Sequence, residues 1–226
     1  RFRNVMWLLS NHERHFCVFH THDCAERVQQ LAPNQSQWLN PMVPHSYFPK
    51  YLPTFQHARV HDPNQHHLCM LGQAHRKRYE LVGYYLQQLT REGQESRLKF
   101  HNFGSGPVPK YFRKSVNNQN RTKLFEQHII AEFVAYQENI YDTCDAILSL
   151  LTRTHQPQYF INETKLSGNL VQASAYQLPV VVHEDLANGG YRQLLSMIET
   201  HTDDADSFVS AMDRLIGRLD EVKKKQ

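Results

Sequence analysis

The sequence has few cysteines, little net charge and no long apolar run, and each shortage excludes a class of protein. Its four cysteines, among 226 residues, contain no C-x-x-C pair and are too sparse for a disulfide scaffold. A net charge of +3 is too small to indicate a nucleic-acid partner. No apolar stretch approaches the ~20 residues that a membrane-spanning helix needs. We therefore expect no transmembrane segment, reduced core cysteines and a cytoplasmic or cytosolic-facing location.

Histidine is abundant, with 15 residues, but its spacing does not predict a metal site. The densest group, His20, His22, Asp23 and Cys24, matches no zinc-finger or zincin spacing, and neither does the pair His66-His67. We expect no metal. His20, His22 and Asp23 end an apolar strand, where they either contact a ligand or form a surface turn, and the surface turn is favoured.

The order of apolar segments predicts a doubly wound α/β domain. Short buried strands alternate with helices from residue 67 to residue 200, a pattern typical of a parallel sheet whose ligands bind at the carboxyl ends of its strands. Strands are predicted at 67–71, 98–103, 146–151 and 180–183, and helices at 79–89, 140–144, 170–176, 190–200 and 205–224. Residues 129–135 fit either a strand or the start of a helix.

The remaining residues divide around this domain. Residues 51–66 form a linker in a stretch with four prolines, and residues 201–226 contain a C-terminal amphipathic helix. Residues 1–50 contain a strand and a helix of their own, and they begin without an initiator Met or a signal-peptide pattern. We interpret them as the tail of a partial second α/β domain, and the chain as a fragment.

Three segments, two at the ends of predicted strands and one before a predicted helix, have residues suited to binding phosphate. Gly72 ends the first strand and is followed closely by Arg76 and Lys77. Gly104-Ser105-Gly106-Pro107 ends the second strand. Lys165-Leu166-Ser167-Gly168-Asn169 comes just before a helix, whose N-terminal amides and dipole favour an anion. Each segment alone is also consistent with an ordinary turn or a capped helix.

Taken in order, these segments resemble the C-terminal domain of GT-B glycosyltransferases that use nucleotide-diphosphate sugars. The resemblance covers residues 67–200. It includes the glycine and basic residues after the first strand, the Gly-x-Gly-Pro turn after the second, a phosphate loop at a helix N-terminus, and a small-residue helix leading to Leu178-Pro179-Val180-Val181.

The resemblance implies a glycosyltransferase whose donor-binding half is this chain. The chain would bind its donor, a nucleotide-diphosphate sugar, without a metal. Its other partner would be an N-terminal domain or a separate chain that carries the acceptor. Tyr136 to Glu138 would lie in a loop near the nucleotide base. The implied diphosphate-binding residues are Gly72, Arg76, Lys77, Gly104, Gly106, Lys165, Ser167, Gly168 and Asn169.

The sequence departs from that family at two positions. Many retaining members carry two glutamates eight positions apart around the phosphate loop, and the corresponding positions here are Thr164 and Gln172. Their loss leaves the stereochemistry open and favours one alternative, a non-catalytic nucleotide- or glycan-binding module that keeps the fold. A second alternative is another α/β enzyme, such as a sugar-nucleotide epimerase or a dehydrogenase. A dinucleotide site is disfavoured, because no G-x-G-x-x-G follows the first strand.

Overall fold

A computed structural model describes residues 65–73, 78–93, 97–104, 106–110, 112, 124–130, 133–161, 167–188 and 197–224. They contain a six-stranded sheet in which every pairing is parallel. The strands are β1 (His66–Leu71), β2 (Leu98–Phe103), β3 (Phe125–His128), β4 (Ala146–Leu148), β5 (Val180–His183) and β6 (Ile198–His201).

The strand order is β3-β2-β1-β4-β5-β6, the Rossmann-type arrangement of a doubly wound sheet. The chain first extends the sheet outward from β1 to β3, then returns to the other side of β1 with β4. The order reverses between β1 and β4, and their carboxyl ends border the crevice where such folds bind ligands. The predicted fold class is therefore confirmed for the described residues.

Helices cover both faces of the sheet. They are α1 (Tyr79–Glu92), α2 (Phe133–Thr143), α3 (Gln158–Ile161), α4 (Gly168–Tyr176), α5 (Glu184–Ala187) and α6 (Ala205–Lys224). The first apolar core joins α1 and α6 to one face through residues such as Leu86, Phe100 and Leu215. The second core joins α2, α4 and α5 to the other face around Leu71 and Val182. Alternate residues of β1, β4 and β5 therefore enter different cores, which requires central strands that are apolar on both sides.

Most predicted elements lie where the sequence placed them. The structure matches the predictions for β2, β5 and α6 residue for residue, and β1 and α1 differ only at their ends. Of the two alternatives for residues 129–135, the start of a helix is confirmed, because α2 begins at Phe133, whereas β3 ends before this range at His128. The segments expected at 1–64, including His20, His22 and Asp23, lie outside the described residues.

The predicted helix at 190–200 is wrong over its last residues, because β6 occupies Ile198–His201. In this edge strand the buried side chains are the polar ones, Glu199 and His201, at 4% and 1% exposure. Arg214 and Arg218 of α6 neutralise the Glu199 carboxylate at 2.8 and 3.0 Å. A strand whose buried positions are polar has no apolar alternation from which it could be predicted.

The prediction of reduced core cysteines is wrong for one pair. Cys69, in the middle of β1, forms a disulfide with Cys144, which directly follows α2. Both residues are fully buried in the second core. They are 75 positions apart in the sequence, and nothing in their spacing indicates that the fold brings them together.

The described helices include no candidate for a membrane span. The longest is α6, whose exposed side carries Asp213, Arg214 and Arg218.

Candidate functional site

A pocket of about 240 Å³ opens at the carboxyl edge of the sheet, beside the point where the strand order reverses. β1 supplies one wall, the segment after β4 a second, and the N-terminus of α4 a third. The lining residues are Leu71, Gly72, Gln73, Leu151, Tyr159, Ser167, Gly168 and Asn169. The turn after β1 and the N-terminus of α4, which the sequence indicates separately, therefore border the same pocket.

The two glycine turns after β1 and β2 pack directly against each other. The Gly72 amide donates to the Phe103 carbonyl at 2.8 Å, and the Gly72 backbone has a φ of 87°, which favours glycine. A Cβ on Gly104 would lie 1.9 Å from the Gly72 carbonyl oxygen, so no side chain fits there. Gly106 has a φ of 94°. These glycines allow the two turns to approach closely and so set the shape of the pocket edge.

The N-terminus of α4 faces the pocket with the residues expected of an anion site. Ser167 is extended, and its carbonyl accepts hydrogen bonds from the Leu170 and Val171 amides at 3.1 and 3.2 Å. Its hydroxyl makes no capping hydrogen bond to the helix, contrary to the role that a serine at this position predicts. A Cβ on Gly168 would meet none of the described residues within 4 Å. The amides and dipole at such a helix end stabilise negative charge.

Two arginines that follow or flank this edge are engaged with acidic groups. Arg153 forms a salt bridge with Asp185, and Arg78 forms one with Glu80 while also donating to the Asp203 carbonyl. Neither arginine is among the residues that line the pocket. The dipole of α4 is one source of positive potential for a bound phosphate.

Gln172 occupies the position where many retaining GT-B enzymes carry a glutamate. It is 9% exposed and shares a side-chain hydrogen bond with Tyr136 of α2. The Tyr136 hydroxyl also donates to the Phe103 carbonyl at 3.2 Å, and burial raises the pKa of this phenol. Gln172 and Tyr136 thus join α4 and α2 to the end of β2 through neutral groups. The loop expected at Tyr136 to Glu138 is wrong, since these residues belong to α2.

Of the nine predicted phosphate-binding residues, four line the pocket: Gly72, Ser167, Gly168 and Asn169. Gly104 and Gly106 shape the neighbouring turn instead. Arg76, Lys77 and Lys165 lie outside the described residues, as does Thr164. Sequence analysis missed Tyr159, because its helix α3 is too short to show a helical pattern of apolar residues. It also missed Leu71 and Leu151 as pocket residues, because their apolar side chains could not be distinguished from those of the core.

Comparisons with solved structures find the same architecture in several proteins that handle sugars. An α,α-trehalose-phosphate synthase (UDP-forming) from Burkholderia vietnamiensis aligns with a TM-score of 0.54 at 8% identity, over 93% of this chain and 56% of the other. The catalytic domain of starch synthase IV from Arabidopsis thaliana, bound to ADP and acarbose, aligns with a TM-score of 0.51 at 12% identity, over 90% and 48%. The described domain has a GT-B glycosyltransferase fold.

A further structure, S. aureus MnaA with UDP, aligns with a TM-score of 0.50 at 12% identity, over 96% of this chain and 55% of that one. The chain spans about half the length of these three structures. No family model matches the chain, and no curated protein is similar to it in sequence. At such low identities the likeness establishes the GT-B fold, which confirms the resemblance drawn from the sequence.

Proposed function

We propose that this chain binds the nucleotide diphosphate of an activated sugar and supplies the donor half of a glycosyltransferase. The observation that carries the proposal is the shared pocket of Gly72, Ser167, Gly168 and Asn169 at the carboxyl edge of the sheet. Open α/β sheets bind ligands at this position, where the strand order reverses. Two of the solved structures with this fold contain ADP or UDP.

The chemistry assigned to this half is stabilisation of the leaving diphosphate. As the bond between the sugar and the diphosphate of the donor breaks, negative charge builds up on the phosphate oxygens. Fixed amides and a helix dipole stabilise that charge without reorganising. Gly168 leaves room for an oxygen above the first turn of α4. Lys165, Arg76 and Lys77 remain the proposed cationic partners, and no metal is proposed for this step.

A pocket of about 240 Å³ is too small for a whole nucleotide sugar, so we assign it to the diphosphate. The base and the sugar would extend beyond it. The acceptor, and any general base that activates it, are assigned to an N-terminal domain or to a partner chain. The sequence analysis expects a cytoplasmic location because it takes the cysteines to be reduced. The Cys69–Cys144 disulfide argues against that location, since such bonds persist in oxidising compartments.

One observation favours the second candidate, a non-catalytic nucleotide-binding module. Gln172 replaces a glutamate of retaining enzymes, and its side chain is engaged with Tyr136. A module of this kind would bind the nucleotide but would not promote cleavage of the sugar–phosphate bond. The two candidates therefore predict the same binding and different turnover.

Ligand-observed NMR with UDP, GDP, ADP and CMP tests the proposal and identifies the base. Calorimetry then compares the best diphosphate with the matching monophosphate. We expect the diphosphate to bind more tightly, by at least about tenfold, because it makes additional charge-assisted contacts. Equal affinities, or no binding of any nucleotide, would contradict the proposal. Sugar transfer or donor hydrolysis by a protein that contains both halves would identify the enzyme. Nucleotide binding without either reaction would identify the module.

A further inference from the structure

Three side chains capable of binding a metal converge on one face of the sheet at its β2–β3 edge. The parallel register places His101 opposite Glu126 and Phe103 opposite His128. Residues two apart in a strand point to the same face, so His101, Glu126 and His128 project together. Their ligand atoms all lie within 4.8 Å of one another, and no other such group occurs in the part of the chain that the structure describes.

The distances among these atoms fit one ion with little adjustment. His101 Nδ1 is 2.9 Å from His128 Nε2, and these two nitrogens are 4.0 and 3.9 Å from the Glu126 carboxylate oxygens. Ligands about 2.1 Å from a tetrahedral zinc ion are about 3.4 Å apart. The two imidazoles would separate by a few tenths of an ångström, and the Glu126 side chain, which is half exposed, would approach them by a similar amount.

Neighbouring groups hold the imidazoles in position. His101 is 2% exposed, and its other nitrogen, Nε2, lies 3.0 Å from His67 Nδ1. A second hydrogen bond of this kind orients a ligating histidine and fixes its tautomer. The His128 ring stacks on Phe103 with centroids 4.3 Å apart and planes 8° apart. Both imidazoles are thus pre-oriented toward the same point.

We propose that His101, Glu126 and His128 bind one divalent ion of the zinc class. Two imidazoles and one carboxylate are a ligand set that zinc accepts, with a remaining position open to water or to another donor. Lys99 contacts Glu126 Oε2 at 2.8 Å, which leaves the other oxygen, Oε1, facing His128. The ion therefore does not require the loss of that salt bridge.

The ion would anchor the edge of the sheet. β3 pairs only with β2, and none of its four residues is fully buried. Ligands from both strands would fasten β3 to its neighbour where apolar packing is thin. This site shares no residue with the pocket at α4, so the inference is independent of the proposed nucleotide binding.

Zinc titration of chelator-treated protein tests this site, with calorimetry for affinity and Co²⁺ substitution for the ligand environment. We expect one saturable ion per chain and a visible Co²⁺ spectrum typical of low coordination number. Glu126→Gln and His128→Gln should each weaken zinc binding by at least about tenfold. Both positions are partly exposed, so these variants should fold, and thermal melting without zinc checks that they do.

The control variant is His155→Gln, which removes a half-exposed histidine elsewhere and should keep parental affinity. It accounts for loose binding by the other histidines of the chain. Zinc should also raise the melting temperature of the parent and of His155→Gln, but not that of His128→Gln. The proposal is overturned if the parent shows no saturable zinc, or if Glu126→Gln and His128→Gln bind it as the parent does.

Discussion

Gly104 is the residue at which the backbone most tightly constrains the pocket edge. An added Cβ would lie 1.9 Å from the Gly72 carbonyl oxygen, and backbone cannot move aside as a side chain can. We expect Gly104→Ala to lower the free energy of unfolding by about 1–3 kcal/mol, as overpacking does. Urea denaturation measures the change.

The matched control for this glycine is Gly217→Ala in α6, where a Cβ would meet nothing within 4 Å. Since alanine is the better helix former, this variant should be stabilised by about 0.5–1 kcal/mol. Equal behaviour of the two variants would show that the close contact between the glycine turns does not exist in solution.

The buried His201 should make the free energy of unfolding depend on pH. Burial lowers its pKa from 6.5 to about 4, although its hydrogen bond to the Thr202 carbonyl acts in the opposite direction. Between these two values the unfolded chain binds a proton that the folded chain does not, so stability is lost as the pH falls. The loss attributable to His201 is about 2 kcal/mol between pH 7 and pH 5.

Urea denaturation of the parent and of His201→Asn at both pH values isolates this contribution. Asparagine does not titrate in this range, so the variant should lose less stability on acidification than the parent. An equal loss in the two proteins would assign the pH dependence to other groups.

At the scale of elements, the sequence predicts best the segments whose side chains follow one simple pattern. The apolar run of β5 and the amphipathic stripe of α6 have the predicted bounds, because burial alone determines them. β6 was missed since its buried side chains are Glu199 and His201, and these are accommodated only by α6 and by local hydrogen bonds. Such strands become visible only when their tertiary partners are known.

The disulfide is the strongest link between β1 and the end of α2. It closes a loop that spans 75 positions, and opening it should lower the free energy of unfolding by about 2–4 kcal/mol. We expect denaturation with a reducing agent to show this loss in the parent. The Cys69→Ala/Cys144→Ala variant should be equally unstable with and without the agent. A parent that is insensitive to reduction, with free thiols detected in the unfolded chain, would contradict the link.

At the scale of the molecule, the order of segments predicted more than any single segment did. The GT-B resemblance correctly indicated the fold. That fold places Gly72 and Gly168 at the same pocket. It could not indicate the cluster of His101, Glu126 and His128, because those ligands meet only through the register of β2 and β3. Side chains that come together across strands leave no spacing signature in the sequence.

The central claim, a diphosphate at the N-terminus of α4, is tested most directly by a charge placed there. Gly168→Asp puts a carboxylate on the first turn, where an added Cβ would contact none of the described residues within 4 Å. Acidic residues at this end favour the helix, so stability should stay unchanged or rise by about 0.3–1 kcal/mol. Gly217→Asp, with the same change in net charge on exposed α6, is the control.

The decisive measurement is calorimetric titration of these two variants and the parent with the nucleoside diphosphate that binds best. Our account predicts that Gly168→Asp weakens binding at least about tenfold, because its carboxylate repels the phosphates, while Gly217→Asp binds like the parent. Parental affinity in a normally folded Gly168→Asp protein would contradict the assignment of the diphosphate to this pocket.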